Sequence, residues 1–498
     1  MIAVVVDRVF RWVDRGLVQL LAVTLAGSLA SIGCGRQRDE DQPTSAAASV
    51  LLAAELQPPE PHGTGPDVVA SPQPSDSIPQ APPSCPSWAK LDITTLPILP
   101  RTPYTDTFEQ VWNTVLQKHY DPTIACKNWP ELRMSYGNRL LQAKSHDEAL
   151  GIINSMLGEL GQSHFRVFGG ELEAVDEARG AAHTPIRVRL VDDLMVVVEG
   201  IAQSKPPGGV PAGAVLLGID GATVASMVEQ AKVRATRPSE QAFWAARIVD
   251  ARLHCPERYA RTLRFRDPIR QDRESVRRVA CELPEGDLVT LGNLHDVPTR
   301  VTWSMLKDTD IGHLAFNVWM LPMVQQVQRA LARLRAEGMK RLVLDLRGNP
   351  GGVGAMSVPI ARLLMDHSAS LGTLQFRDFT QEFNVTPDDN PFTGPVVVLV
   401  DESTASTSEI FVAGLRDLGR VRVVGSRASV GAALPSIIEE LEGGAILQYV
   451  VGDYHSPKGT AVEGIGIVPD ILVPESRADF LAGRDRVLDR AVQAIAKE

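Results

Sequence analysis

Apolar and polar residues change their spacing three times along this chain. Between residues 105 and 160 apolar side chains recur every three or four positions. Phe108, Val111, Trp112, Val115 and Leu116 share one face of a first helix, and Leu150, Ile153, Leu157 and Leu160 one face of a second, closed by Gly161. From about 180 to 305 the spacing shortens. Residues 186–190 and 194–198 predict strands, a helix follows from Val224, and 240–264 is again helical in character. The last third alternates. A strand at 313–318 leads to a helix carrying Val324, Val327, Leu331 and Leu334, closed by Gly338. Strands at 341–346, 396–400 and 420–425 then alternate with helices at 355–365 and 407–417, and a hairpin is expected around Gly443 and Gly444. Strands alternating with helices predict an α/β fold with βαβ crossovers. No internal repeat is evident.

The first hundred residues follow neither spacing. Residues 35–98 are rich in Pro, Ser and Ala and cannot bury enough apolar surface to offset chain entropy, so they are expected to form a disordered linker. Residues 1–34 have the pattern of a secretory signal: Arg8, Arg11 and Arg15, then an uncharged stretch at 16–33. This leader resembles a bacterial lipoprotein signal, which implies a lipid on Cys34, although Ser31 stands where that signal usually has leucine. A plain cleaved signal or an uncleaved anchor at the lower limit of a membrane span are the alternatives. All three place the protein outside the cytoplasm, in the periplasm or held to a membrane of the cell envelope.

Composition narrows the class. The 498 residues are 44% hydrophobic and 22% charged, which suits two or three folded domains. The net charge of −10, with no basic tract, argues against a nucleic-acid partner. With Cys34 set aside, Cys85, Cys126, Cys255 and Cys281 allow two disulfides in an oxidising compartment, and Cys255 with Cys281 is the expected pair because both fall in one segment. No spacing suggests a metal site, and neither metal nor cofactor is expected.

Chemistry concentrates at Thr404-Ala405-Ser406-Thr407-Ser408-Glu409. Here a buried strand turns sharply into a helix, so a serine hydroxyl and unpaired helix-start amides point the same way, as acyl transfer requires. The plainer alternative is an N-cap serine, because Ser406 and Glu409 have capping-box spacing. Three features weigh against it. Gly348-Asn349-Pro350-Gly351-Gly352 ends another strand, and amides of Gly351 or Gly352, with that of Thr407, are suited to an oxyanion. Glu463 sits in a turn-rich segment, and Ser163-His164 follows a capped helix, where a histidine can serve a serine as base.

Together these residues resemble the tail-specific, C-terminal-processing serine peptidases and their tricorn relatives. The resemblance is carried by Asp345-Leu346-Arg347-Gly348-Asn349-Pro350-Gly351-Gly352, by the Ser406 segment through Phe411, by Val424-Gly425 and by Glu463-Gly464-Ile465-Gly466-Ile467-Val468-Pro469-Asp470. It implies a ClpP/crotonase-like α/β core at 306–498, an N-terminal helical cap at 99–178 and a PDZ-like, β-rich insert at 179–305. The stretch 211–221 carries the strand-turn signature of a PDZ domain. It implies Ser406 as nucleophile. One branch of the family uses a lysine some 25 positions downstream, but Ser429-Val430-Gly431-Ala432-Ala433 has none, and Lys458 lies in a solvated turn. The tricorn-like branch uses histidine, which implies His164 as base with Ser163 and Glu463 as its relay. The expected activity is that of an exported serine endopeptidase acting on proteins or peptides. The alternative is a catalytically silent module that binds apolar ligands or peptides on the same fold. The PDZ-like insert is expected to bind a peptide terminus or to gate access.

Overall fold

The computed structural model describes residues 85–169, 182–202, 209–235, 237–291 and 294–497. The leader, Cys34 and most of the expected linker lie outside the described residues. No described helix is long and apolar enough to cross a membrane.

Three helices build the cap: α1 (Thr105–Lys118), α2 (Trp129–Arg139) and α3 (His146–Gly158). Helix α2 was not evident from apolar spacing. Its signal is local: the Asn128 side chain accepts from the Glu131 N–H at 3.4 Å, and Pro130 sits in the first turn. Trp112 and Trp129 stack with ring centroids 6.2 Å apart, and each indole N–H donates to the other's carbonyl, at 2.9 and 3.1 Å. The expected linker ends early. Cys85 is bonded to Cys126, the Trp88 indole N–H donates to Lys127 O at 2.9 Å, and Trp88, Leu91 and Leu96 pack on the cap. Residues 85–98 are therefore part of the cap, because Trp88 and the disulfide supply the apolar burial that their Pro-rich composition conceals.

Strand β1 (Arg166–Gly169) follows the cap. The insert is an antiparallel sheet in the order β2-β3-β4-β6-β7, made of Arg187–Val191, Leu194–Glu199, Val215–Ile219, Ala260–Asp267 and Arg273–Ala280, with short β5 (Ala222–Thr223) beside β4. Helices α4 (Val224–Arg234) and α5 (Pro238–Leu253) cover its apolar face. The second disulfide joins Cys255 to Cys281. A hairpin, β8 (Asp287–Leu291) and β9 (Leu294–Thr299), leads out. Strand β10 (Val301–Met305), assigned to the insert from sequence, instead pairs antiparallel with the core, so the insert ends near residue 300.

The core sheet runs β10-β11-β12-β15-β16-β20, and all strands after β10 are parallel. These are β11 (Ile311–Phe316), β12 (Arg341–Asp345), β15 (Val396–Val400), β16 (Arg422–Gly425) and β20 (Ile471–Leu472). Helices α6 (Leu321–Ala336), α7 (Ser357–Arg362) and α8 (Thr407–Asp417) cross over on one face. Alternate residues of β15 divide between the two faces. Val396, Val398 and Val400 join the cluster with these helices, while Val397 and Leu399 pack with Val487, Ala491 and Ile495. The latter belong to α10 (Arg486–Ile495), which follows the short α9 (Arg477–Leu481).

Two small sheets join core to cap. In one, β13 (Ala369–Phe376) pairs with β14 (Thr380–Val385) and β19 (Gly452–His455). In the other, β18 (Ala445–Val450) pairs with β17 (Ser436–Glu440) on one side and with β1 on the other. Leu447 and Tyr449 of β18 complete the apolar cluster of the cap. The segment just before β1 is thereby fixed against the core.

Replacing Trp112 by Ala removes a buried ring, its stacking on Trp129 and the hydrogen bond from its indole N–H to Trp129 O. Chemical denaturation should show a loss of about 3–5 kcal/mol.

Candidate active site

Strand β15 ends at Val400, and α8 begins at Thr407. Ser406 lies between them with φ +55° and ψ −120°, a conformation that L-residues adopt at a cost. Five bonds hold it there by tying the turn to the glycine-rich loop after β12. The Ala405 N–H donates to Asn349 O (3.1 Å), and the Ser408 hydroxyl to the same oxygen (3.2 Å). The Thr404 hydroxyl donates to Leu346 O (2.9 Å), the Thr407 hydroxyl to Gly352 O (2.9 Å), and the Gly348 N–H to Asp401 (2.9 Å). Gly351, at φ +94°, has to be glycine: a Cβ there would lie 2.6 Å from Ser406 Cβ.

The Ser406 hydroxyl does not cap α8. The Glu409 N–H donates to Ser406 O at 2.8 Å, and Ser406 Oγ is buried with no partner among the described residues. The Glu409 carboxylate accepts the Ser406 N–H at 3.0 Å, as in a capping box. The amides expected around this hydroxyl differ in their commitments. The Gly351 N–H donates to the Asn349 side chain at 3.0 Å. Among the described residues, the N–H groups of Gly352 and Thr407 meet no protein acceptor.

Ser163 and His164 follow α3, with His164 at φ +61°. Glu463 reaches them across the fold. Its carboxylate accepts the Ser163 N–H (2.8 Å), the Ser163 hydroxyl (3.0 Å) and the Ala433 N–H (2.8 Å). Burial pushes the Glu463 carboxyl up, and these donors pull against that shift. Ser163 Oγ lies 2.7 Å from His164 Nδ1. The hydroxyl has one proton, and an ionised carboxylate can only accept it, so Nδ1 must carry the hydrogen of the second bond. That assigns the tautomer and leaves the lone pair on Nε2, which is buried and meets no partner among the described residues. Burial also pushes the His164 imidazole down to about 3, so the ring is neutral at neutral pH.

The structure therefore brings Ser163, His164 and Glu463 into one hydrogen-bonded chain and presents two buried atoms, His164 Nε2 and Ser406 Oγ, whose bonding needs are unmet. No hydrogen bond joins those two atoms. An apolar pocket opens beside Ser406, lined by Ala355, Leu374, Phe383, Ile410, Leu434 and Pro435. Lys458 is exposed, in a turn after β19. Gly431, where a downstream lysine would fall, has φ +78°, and a Cβ there would sit 2.8 Å from the backbone nitrogens of Ile465 and Gly466.

Sequence reasoning missed two supports. Buried His119 bonds to the Gln162 side chain at 2.8 Å and stacks on Phe165, which steadies the segment bearing His164. From the insert, buried Arg189 donates to both oxygens of Glu402 (2.9 and 2.7 Å), to Glu475 (2.7 Å) and to Ser426 (2.9 Å), at the base of the Ser406 turn. Although burial alone would raise the Glu402 carboxyl, Arg189 holds it down at about 2. Neither support has a local sequence signal, because the partners are far apart in the chain.

Residues 310–473 match the model of Peptidase family S41. The chain is 26% identical over 378 residues to the carboxyl-terminal-processing protease of Picosynechococcus sp., covering 74% of this chain and 83% of that one. It is 24% identical over 389 residues to the chloroplastic carboxyl-terminal-processing peptidase 3 of Arabidopsis thaliana, covering 75% and 70%. The crystal structure of mature CPAF has a similar fold, with a TM-score of 0.57 at 15% identity over 79% of this chain and 98% of that one.

The His164 imidazole has a folded value far below the ordinary 6.5. Between about 3 and 6.5 the unfolded chain therefore holds a proton that the folded chain does not. Stability from this group is complete above that window and is lost as pH falls through it. Urea titrations of the parent protein and His164→Asn should diverge on acidification, with the parent losing about 1 kcal/mol more per pH unit between pH 6 and 4.

Proposed function

We propose that this serine-type peptidase, whose residues 310–473 match family S41, cleaves peptide bonds through an acyl-enzyme on Ser406 with His164 as general base. One observation carries the reading. Two buried atoms, a serine hydroxyl on a strained turn and an imidazole nitrogen holding its lone pair, are each left without a partner among the described residues. A buried polar atom left unbonded costs about 1–3 kcal/mol. Such costs gather at reaction centres.

Ser406 Oγ attacks the carbonyl carbon while its proton passes to His164 Nε2. The hydroxyl and imidazole close their gap when substrate seats, as catalytic bonds commonly do. Negative charge on the former carbonyl oxygen is met by the N–H groups of Thr407 and Gly352. The Gly351 N–H is already committed, so Gly351 serves by its lack of a side chain. Imidazolium is stabilised through Ser163 and Glu463. His164 then gives its proton to the departing amine as the C–N bond breaks, and water, deprotonated by His164, releases the acyl group.

The absence of room for a side chain at Gly431, and the exposure of Lys458, support the histidine-dependent branch over a serine–lysine pair. The apolar pocket suits an uncharged side chain next to the scissile bond. The six-stranded sheet with two helices is read as the PDZ-like insert, which adds a substrate segment to a sheet edge. Substrates are proteins or peptides, and the likeness to carboxyl-terminal-processing proteases favours cleavage near a carboxyl terminus. Export, with a lipid on Cys34, completes the proposal.

A fluorophosphonate probe should label Ser406 in the parent protein and not in Ser406→Ala. Both Ser406→Ala and His164→Ala should lower kcat on an unfolded protein substrate by about 10⁴-fold or more. Undiminished cleavage by Ser406→Ala would exclude this nucleophile.

A further inference from the structure

Glu409 has no part in the proton path just described, yet its carboxylate is fully buried. Its partners are all uncharged donors. Oε2 accepts the N–H of Ser406 (3.0 Å) and of Ala432 (2.8 Å), and Oε1 accepts the N–H of Gly431 (2.7 Å) and the hydroxyl of Ser429. A capping box explains only the first of these. The other three come from a loop twenty or more residues downstream. Burial without a paired cation pushes this carboxyl up to about 7, despite the four donors. A charge placed so expensively is retained where geometry requires it.

The loop explains the geometry. Gly431, Ala432 and Ala433 offer three consecutive N–H groups. The first two go to Glu409, and the third goes to Glu463, whose other bonds hold Ser163. The Gly464 N–H also returns to Gly431 O at 2.9 Å. A continuous run of bonds thus leads from the Ser406 backbone through Glu409, the loop, Glu463 and Ser163 to the imidazole of His164. We propose that Glu409 is a positioning residue that sets the separation of hydroxyl and imidazole by clamping the 429–433 loop to the Ser406 turn. The inference rests on the Ser406–His164 reading above and adds a residue to it. A Gln at 409 keeps the shape but turns an NH₂ group toward N–H donors, so one side of the clamp opens.

The test uses the full chain, with steady-state cleavage of a peptide and the rate of fluorophosphonate labelling. Glu409→Gln should lower kcat and the labelling rate together by about 100-fold, the scale expected for an ångström of misplacement. KM should stay within about threefold, because Glu409 does not line the pocket that takes the substrate. Glu409→Asp, which restores the charge, should recover part of the loss. Equal kcat and labelling in the parent and Glu409→Gln would overturn the proposal, as would a loss that appears only in KM. If near-ultraviolet circular dichroism shows Glu409→Gln unfolded, Ser429→Ala decides. It removes one donor to Glu409 and should lower kcat several-fold with KM held, and an unchanged kcat overturns the proposal. Failure of the parent protein itself to label at Ser406 is a different result, and it removes the reading on which this inference stands.

Discussion

The carboxylate of Glu463 is the joint on which the site depends. It holds the backbone and side chain of Ser163, which comes from the helical cap, and at the same time the Ala433 N–H, which belongs to the core. Moving the cap away from the α/β sheet would strip that buried group of its Ser163 donors, which ties the cap to this seat. The antiparallel pairing of β1 with β18 reinforces the seat immediately downstream of His164. A loose cap would leave the imidazole adrift from the hydroxyl by far more than a hydrogen bond tolerates.

The insert is fixed to the same place by different physics. Arg189 spans three carboxylates at the foot of the Ser406 turn, and Asp401, one of them, also accepts the N–H groups of Gly348 and Ser403. From α5, Phe243 packs with Ala405, Val430 and Ala432. The Arg237 guanidinium donates to Val430 O at 2.9 Å. A rigid-body shift of the insert would therefore strain both the glycine-rich loop and the loop that Glu409 and Glu463 share. Buried ion clusters of this kind contribute little net stability but tolerate few alternative geometries.

Periodicity made the parallel strands legible, because β12 and β15 are apolar on both faces and are bounded by glycine-rich or hydroxyl-rich turns. It also revealed α1 and α3, whose apolar faces are regular. Helix α10 was not predicted although Val487, Ala491 and Ile495 repeat at helical spacing, because the turn-rich 463–470 stretch interrupts the strand–helix alternation before it. The β13–β14 hairpin carries mixed polar faces and gave no clear period. At the site, the strand-to-helix turn singled out Ser406, whereas the roles proposed for His164 and Glu463 come from the resemblance, since neither has a local pattern that marks it. Glu409 illustrates the limit best. Its spacing from Ser406 fits an ordinary helix start, and only the folded position of residues 429–432 shows what else it binds.

The order of these segments along the chain has a consequence for biogenesis. On the assignment proposed here, the base lies near residue 164, the nucleophile near 406 and the carboxylate that orients the base at 463. A ribosome delivers them in that sequence, so a nascent polypeptide lacks a competent centre until residue 463 has emerged. Prematurely terminated products that end before Glu463 would accordingly be inert fragments and not stray proteases.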